Sequence, residues 1–212
     1  MNPSILDARL YLVAQSHLTA GRLADMVPEL VDAGVDVIQL REKEMEAGDL
    51  IRAGEPVRTA CKDAGVPFIL NDRPDVALAL EADGVHVGQN DLPVRTTRDV
   101  MGDKIVGLST HRESEIDGAL EDAIDYFAVG PVYETPTKSG RPATGSELIR
   151  YAAATGTDIP WFAIGGIDLE RMEEVVEAGA RRVVVVRAIG ESKDPPAAAA
   201  SLRKALEQGG AI

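Results

Sequence analysis

Eight short apolar runs rich in β-branched residues punctuate the chain, and their spacing restricts the fold more than any other feature of the sequence. They are Leu10–Val13, Val35–Leu40, Pro67–Leu70, Gly84–Val87, Ile105–Leu108, Tyr126–Val129, Trp161–Ile164 and Val183–Val186. Each is nearly continuous rather than alternating, as parallel strands covered on both faces should be. Their C-terminal ends succeed one another at about 25 residues on average, which leaves room for a helix in each gap. Helical periodicity appears in the gaps at Leu23–Ala33, Asp49–Ala64, Pro74–Glu81, Arg112–Asp122, Leu169–Ala178 and Pro196–Leu206. Gly34, Gly65 and Gly179 supply C-terminal stops.

Strand-helix alternation allows an open doubly wound sheet or a closed barrel, and the polar residues decide between them. Charged or amide groups follow most runs: Gln39 to Lys43, Asn71-Asp72, Gln89 to Asp91, Ser109 to His111, and Thr135 to Lys138. In an open sheet at about 4.8 Å per strand the outer strands would lie more than about 30 Å apart, so these groups could not share one small ligand. Closure brings them together. The first run also lacks the G-x-G-x-x-G turn of a dinucleotide site. The expectation is a single-domain (β/α)8 TIM barrel over residues 1–212, with its site at the C-terminal face.

Charge narrows the partners. With 22 basic and 35 acidic residues the formal charge is −13, which disfavours nucleic acid and anionic lipid surfaces. An acidic, Arg-biased surface fits a high-salt cytoplasm or an ordinary acidic cytosolic enzyme equally well. Added salt should raise the melting temperature by screening carboxylate repulsion, and salt-insensitive melting would count against the high-salt habitat. No apolar run approaches the roughly 18 residues that a membrane helix needs, and the N-terminus has no secretory pattern, so a cytoplasmic location is expected. The lone Cys61 reads as core.

Several strand ends carry the chemistry. Gln39-Leu40-Arg41-Glu42-Lys43 closes the second run, and side-chain alternation places Gln39, Arg41 and Lys43 on one face, where a diphosphate would find a planar fork and a point charge. A salt bridge to Glu42 is the bland alternative. Asp72 after the third run and Asp91 after the fourth offer two hard carboxylates, the usual protein share of a Mg²⁺ site. Either could instead cap the helix that follows. Thr135-Pro136-Thr137-Lys138-Ser139-Gly140-Arg141-Pro142 reads as a lid or as a solvated connector. Gly165-Gly166 and Val186-Arg187 stand at the phosphate-grip positions of the fold. His17, His86 and His111 have neither zinc spacing nor triad partners, which favours structural or supporting roles.

These segments together resemble the thiamine-phosphate synthase family. The resemblance rests on Gln-Leu-Arg-Glu-Lys at 39–43, Asn-Asp-Arg at 71–73, Asp-Gly-Val-His-Val-Gly-Gln-Asn-Asp-Leu-Pro at 83–93 and Gly-Leu-Ser-Thr-His at 107–111. It continues through Val-Gly-Pro-Val-Tyr-Glu-Thr-Pro-Thr-Lys at 129–138, Ala-Ile-Gly-Gly-Ile at 163–167 and Val-Val-Arg-Ala-Ile at 185–189. It implies that 4-amino-2-methyl-5-(diphosphooxymethyl)pyrimidine is condensed with 4-methyl-5-(2-phosphoethyl)thiazole, or its carboxylated form, to give thiamine monophosphate and diphosphate. By the same resemblance Gln39, Arg41, Lys43, Asn71, Ser109 and Lys138 hold the pyrimidine diphosphate, with Leu40 and Glu42 in the same motif, and Asp72 and Asp91 bind Mg²⁺. Arg41, Lys43, Ser109 and Lys138 are then the catalytic candidates. Thr135, Pro136, Thr137, Gly166, Val186 and Arg187 would surround the thiazole phosphate.

Two places depart from the pattern: Asn90 stands where Glu is expected, and Asp168-Leu169-Glu170 follows Gly-Gly-Ile where an Asn-containing turn is commoner. Neither is an implied ligand. A dissociative, Mg²⁺-assisted substitution suits a mouth rich in cations and lacking a nucleophile. A thiazole tautomerase-like barrel with His111 as base and a non-catalytic phosphate-binding barrel are the alternatives. The partners are small molecules, and the sequence is compatible with a homodimer without fixing one.

Overall fold

The computed structural model describes residues 4–135 and 142–209. Strands β1 (Leu10–Ala14), β4 (Val37–Leu40), β5 (Phe68–Asn71), β6 (Gly84–Val87), β7 (Ile105–Thr110), β8 (Tyr126–Val129), β9 (Trp161–Ile164) and β10 (Val183–Val185) close into a parallel barrel in chain order. Closure comes from β1, which pairs with β4 on one side and β10 on the other. A small hairpin of β2 (His17–Leu18) and β3 (Gly21–Arg22) follows the first barrel strand. The helices between and after the strands are α1 (Leu23–Asp32), α2 (Ala47–Ala64), α3 (Pro74–Ala79), α4 (Val94–Met101), α5 (Glu113–Glu121), α6 (Gly145–Ala154), α7 (Met172–Glu177), α8 (Arg187–Gly190) and α9 (Pro195–Gly209).

The unbroken apolar runs conceal a period of two, because both faces of each strand are buried. One face looks out: Leu10, Leu12, Ile38, Leu40, Phe68, Leu70, Phe127 and Val129 pack under the helices. Leu23, Val27 and Leu30 of α1 answer them at helical spacing, as do Leu50, Val57 and Cys61 of α2. Cys61 is therefore core, as its sequence context suggests. The other face looks in. Tyr11, Val13, Val37, Ile69, Tyr126, Phe162 and Val184 fill the barrel, joined by Ile5 and Ala8 from the segment before β1.

Space inside is shared between large and small residues. A Cβ on Gly107 would lie 2.1 Å from the Cζ of Tyr126, so the β7 glycine accommodates the β8 tyrosine ring. That ring meets Phe162 edge-on, with centroids 5.7 Å apart, and Phe162 in turn meets Tyr11 at 5.5 Å. Such tilted and edge-on pairs add about 0.5–1.5 kcal/mol each beyond the area they bury.

The N-terminal side of the barrel carries a repeated clamp. Asp36, Asp83 and Asp125 each precede a strand and accept backbone N–H groups at the start of the preceding barrel strand, from Leu10, Phe68 and Val106 respectively. Arg203 binds Asp36 and Arg98 binds Asp125, which ties α9 and α4 to the same points. Part of the acidic excess is thus structural.

The observed elements add α4, α6, the short α8 and the hairpin to those expected from periodicity, and they shift several boundaries. The last strand ends at Val185, so Arg187 belongs to the first turn of α8 rather than to a strand end. Among the described residues no helix is long and apolar enough to cross a membrane.

Candidate active site

A cavity of about 630 Å³ opens at the C-terminal ends of the barrel strands. Its wall includes Gln39, Arg41, Asn71, Ser109, Thr135, Gly166, Val186 and Arg187, contributed by six barrel strands or the loops that follow them. Barrel closure thus gathers residues that lie far apart in the sequence.

The second strand divides its motif. Gln39 points inward and is nearly inaccessible, and Arg41 lines the cavity just past the strand end. Burial pulls the Arg41 guanidinium below its ordinary range, and the nearby Asp72 carboxylate opposes that pull. Leu40, expected near substrate as part of the motif, instead turns its side chain into the outer core, because alternation sends it to the face opposite Gln39. Glu42 is also engaged elsewhere: its carboxylate accepts the Ser16 N–H and hydroxyl, both at 2.7 Å, and so tethers the loop after β1. The bland alternative, a salt bridge from Glu42 to the cations of its own motif, is therefore not what this carboxylate makes. The strand has ended before Lys43, and its ammonium stands 3.5 Å from Asp72 rather than on the cavity wall.

Asp72 is held unusually. Its φ of 62° lies in the left-handed region, which Asp tolerates better than most residues but which still stores strain. Its backbone N–H donates to the His86 carbonyl at 2.8 Å. Burial raises the Asp72 carboxyl above its usual range, the Asp91 carboxylate within hydrogen-bonding reach adds to this, and Lys43 opposes it. The helix-cap alternative fails for both aspartates. Helix α3 begins after Arg73 and α4 after Pro93, neither with a side-chain cap, while Asp91 accepts the Gly88 N–H at 2.7 Å within its own loop. Two neighbouring carboxylates, one of them raised by burial and then by the charge of the other, fit a hard divalent cation, which would relieve their repulsion.

Opposite this pair, Gly165 and Gly166 have φ of 107° and 66°. A Cβ on Gly165 would come within 2.5 Å of the Pro131 Cα, so the glycines admit the segment after β8 against the end of β9. Val132 and Tyr133 confirm the seat by donating N–H groups to the carbonyls of Ile164 and Gly165. Arg171 donates to the Gly166 carbonyl and lies 4.6 Å over the Tyr133 ring. Pro136, Thr137 and Lys138 lie outside the described residues.

Tyr11, His86, His111 and Arg171 also line the cavity. Tyr11 and Arg171 carry no signal of this in the sequence; Tyr11 is hidden inside a wholly apolar run, and its inward phase becomes legible only from the register that sets Val13, two residues on, beside the inward-pointing Gln39 of the adjacent strand. His86 is 8 % exposed and bridges the Tyr126 hydroxyl at 3.0 Å and the Ser109 hydroxyl at 2.9 Å, a supporting position of the kind its isolation suggested.

A closed parallel barrel whose strand ends converge on one cavity defines a TIM-barrel protein. The family model described as thiamine monophosphate synthase matches residues 10–189, and the chain belongs to that family. It is 50 % identical over 208 residues to the thiamine-phosphate synthase of Acidothermus cellulolyticus, covering 97 % of this chain and 98 % of that one. It is 49 % identical to the thiamine-phosphate synthase of Thermus thermophilus, covering 93 % and 97 %. Among solved structures, thiamine phosphate pyrophosphorylase from Pyrococcus furiosus superimposes with a TM-score of 0.85 at 28 % identity, covering 95 % of this chain and 96 % of that one.

Proposed function

We propose that the chain is a thiamine-phosphate synthase that joins the pyrimidine methyl diphosphate to the thiazole phosphate. The observation that carries this reading is the mouth itself: Gln39, Arg41, Asn71 and Ser109 on one wall, with the Lys43–Asp72–Asp91 cluster beside them. Arg41 and Lys43 suit the diphosphate, while Gly166, Val186 and Arg187 across the cavity suit the phosphate of the thiazole. Asp72 and Asp91 would hold Mg²⁺, which when bound supplies positive charge against the diphosphate oxygens.

In the proposed step the bond between the pyrimidine methylene carbon and the diphosphate oxygen breaks, and the electron pair leaves with diphosphate. The aminopyrimidine ring carries the resulting methylene cation. The lone pair of the thiazole nitrogen then forms the new carbon–nitrogen bond, and no proton need be exchanged with the protein. Arg41 and Lys43, with Lys138 from the sequence motif, stabilise charge that grows on the leaving group, and the cavity walls align the two substrates.

Incubation with both substrates and Mg²⁺ should yield thiamine monophosphate and diphosphate in equal amounts. Proton exchange on a thiazole without condensation would favour the tautomerase reading, and binding without turnover a non-catalytic one. The order of events is tested by an electron-withdrawing substituent on the pyrimidine, which should slow the single-turnover rate steeply with little change in affinity. Each tenfold loss corresponds to about 1.4 kcal/mol of transition-state destabilisation. Flat rates across such a series would rule out the dissociative route.

A further inference from the structure

The turn at the end of β9 commits three successive carbonyls to the same side. The Ile164 carbonyl accepts the Val132 N–H at 2.9 Å, the Gly165 carbonyl accepts the Tyr133 N–H at 3.0 Å, and the Gly166 carbonyl accepts Arg171 Nη1 at 2.6 Å. A regular strand would alternate its carbonyls between two neighbouring strands. The φ angles of 107° and 66° at Gly165 and Gly166 break that alternation, and glycine adopts them without a Cβ clash. In a trans peptide the N–H points opposite to the carbonyl, and among the described residues the cis bond is Gly130-Pro131 alone. The Gly166 and Ile167 N–H groups are therefore both turned away from the segment after β8. Neither has a hydrogen-bond acceptor among the described residues, and both residues line the cavity.

Adjacent N–H groups turned to one side form a nest for an anion, and here the second of them depends on a side chain. The backbone after β8 supplies donors for two of the carbonyls, and Arg171 supplies the third. Its guanidinium is fixed in that post. It lies 4.6 Å over the Tyr133 ring, whose hydroxyl donates to Glu174 at 2.7 Å, and its Nη1 is 3.5 Å from Asp168 Oδ2. Asp168 also accepts the Arg171 backbone N–H at 3.1 Å. Asp168, Glu134 and Glu191 share the cavity wall with Arg171 and Arg187, so much of the cationic charge there is offset and orientation is what the guanidinium contributes. We propose that Arg171 is a positioning residue that pins the Gly166 carbonyl and so presents the Ile167 N–H, beside that of Gly166, to an anionic group in the cavity. That group, on the thiamine-phosphate synthase reading on which its identity rests, is the phosphate monoester of the thiazole. The turn then selects a phosphorylated acceptor over the corresponding free alcohol.

Inorganic phosphate tests the nest without turnover. Titrated into nitrogen-15-labelled protein, it should move the Gly166 and Ile167 amide proton signals downfield, and in Arg171→Met the Ile167 movement should fall to less than half. The thiazole phosphate should bind Arg171→Met about tenfold more weakly than the wild type, the scale of one hydrogen bond to a charged group. Affinity for the thiazole alcohol and for the pyrimidine diphosphate should stay as it was. Arg171→Lys, which keeps a cationic donor for the carbonyl, should recover most of the loss. Wild-type amides that phosphate does not move, thiazole phosphate binding undiminished in Arg171→Met, or an equal loss for all three ligands would each overturn the proposal, even with condensation intact. A wild type that condenses nothing while phosphate still moves both amides would overturn the synthase reading and leave the role of Arg171 standing.

Discussion

Replacing Asp72 or Asp91 with alanine should lower turnover at least about a hundredfold, or about 2.7 kcal/mol of transition-state stabilisation, while the protein stays folded. The two carboxylates face each other beside Lys43, and burial together with Asp91 raises the Asp72 carboxyl. Neither supports a helix end. Loss of Asp91 gives up one bond to the Gly88 N–H, for about 1 kcal/mol, and loss of Asp72 removes a repulsive partner. Asp72→Asn is the cleaner variant, because asparagine also tolerates a φ of 62° and only the charge is removed. Turnover at ordinary and raised Mg²⁺, measured beside thermal melting, separates the outcomes. Full activity in either alanine variant, or a defect confined to stability, would refute the cation assignment.

Gly130→Ala should be among the most destabilising single changes in the chain, at about 3 kcal/mol or more. The glycine has φ of 156°, and an added Cβ would lie 2.0 Å from the backbone oxygen of Ile164. That oxygen cannot swing aside like a side-chain tip, because it accepts the Val132 N–H. Gly65→Ala provides the comparison: its φ is 75°, but nothing stands within 4 Å of the new carbon. There only backbone strain is added, about 1 kcal/mol. Against a total stability of about 5–15 kcal/mol the difference is easily read from urea midpoints. Equal midpoints for the two variants would show that the end of β9 yields.

The barrel was legible because its strands are buried on both faces and therefore stand out as apolar runs. The same property hid the interior: Tyr11 and Tyr126 sit in runs with no visible alternation, so the sequence did not show that they meet at the centre. Helix α4 escaped because only Thr97 and Met101 of its eight residues are buried, too few to mark a face. The hairpin of β2 and β3 has two residues per strand, shorter than any periodicity. At the mouth, strand-end position located Gln39, Arg41, Asn71 and Ser109 correctly on the cavity wall. Alternation misled at Lys43, since the strand stops at Leu40 and the chain then turns. The pairing of Lys43 with Asp72 depends on loops from different strands, which spacing along the chain does not encode.

The fit between Gly107 and Tyr126 also bears on how this barrel can change over generations. A descendant with the bulky residue on β7 and the small one on β8 could conserve interior volume, yet neither single substitution leads there cheaply. Enlarging Gly107 first drives a carbon into the tyrosine ring, an overpacking cost of about 1–3 kcal/mol. Shrinking Tyr126 first opens a cavity at about 3–5 kcal/mol and also cuts the link between Tyr11 and His86. The two positions are therefore mutually locked, and lineages that keep one should keep the other.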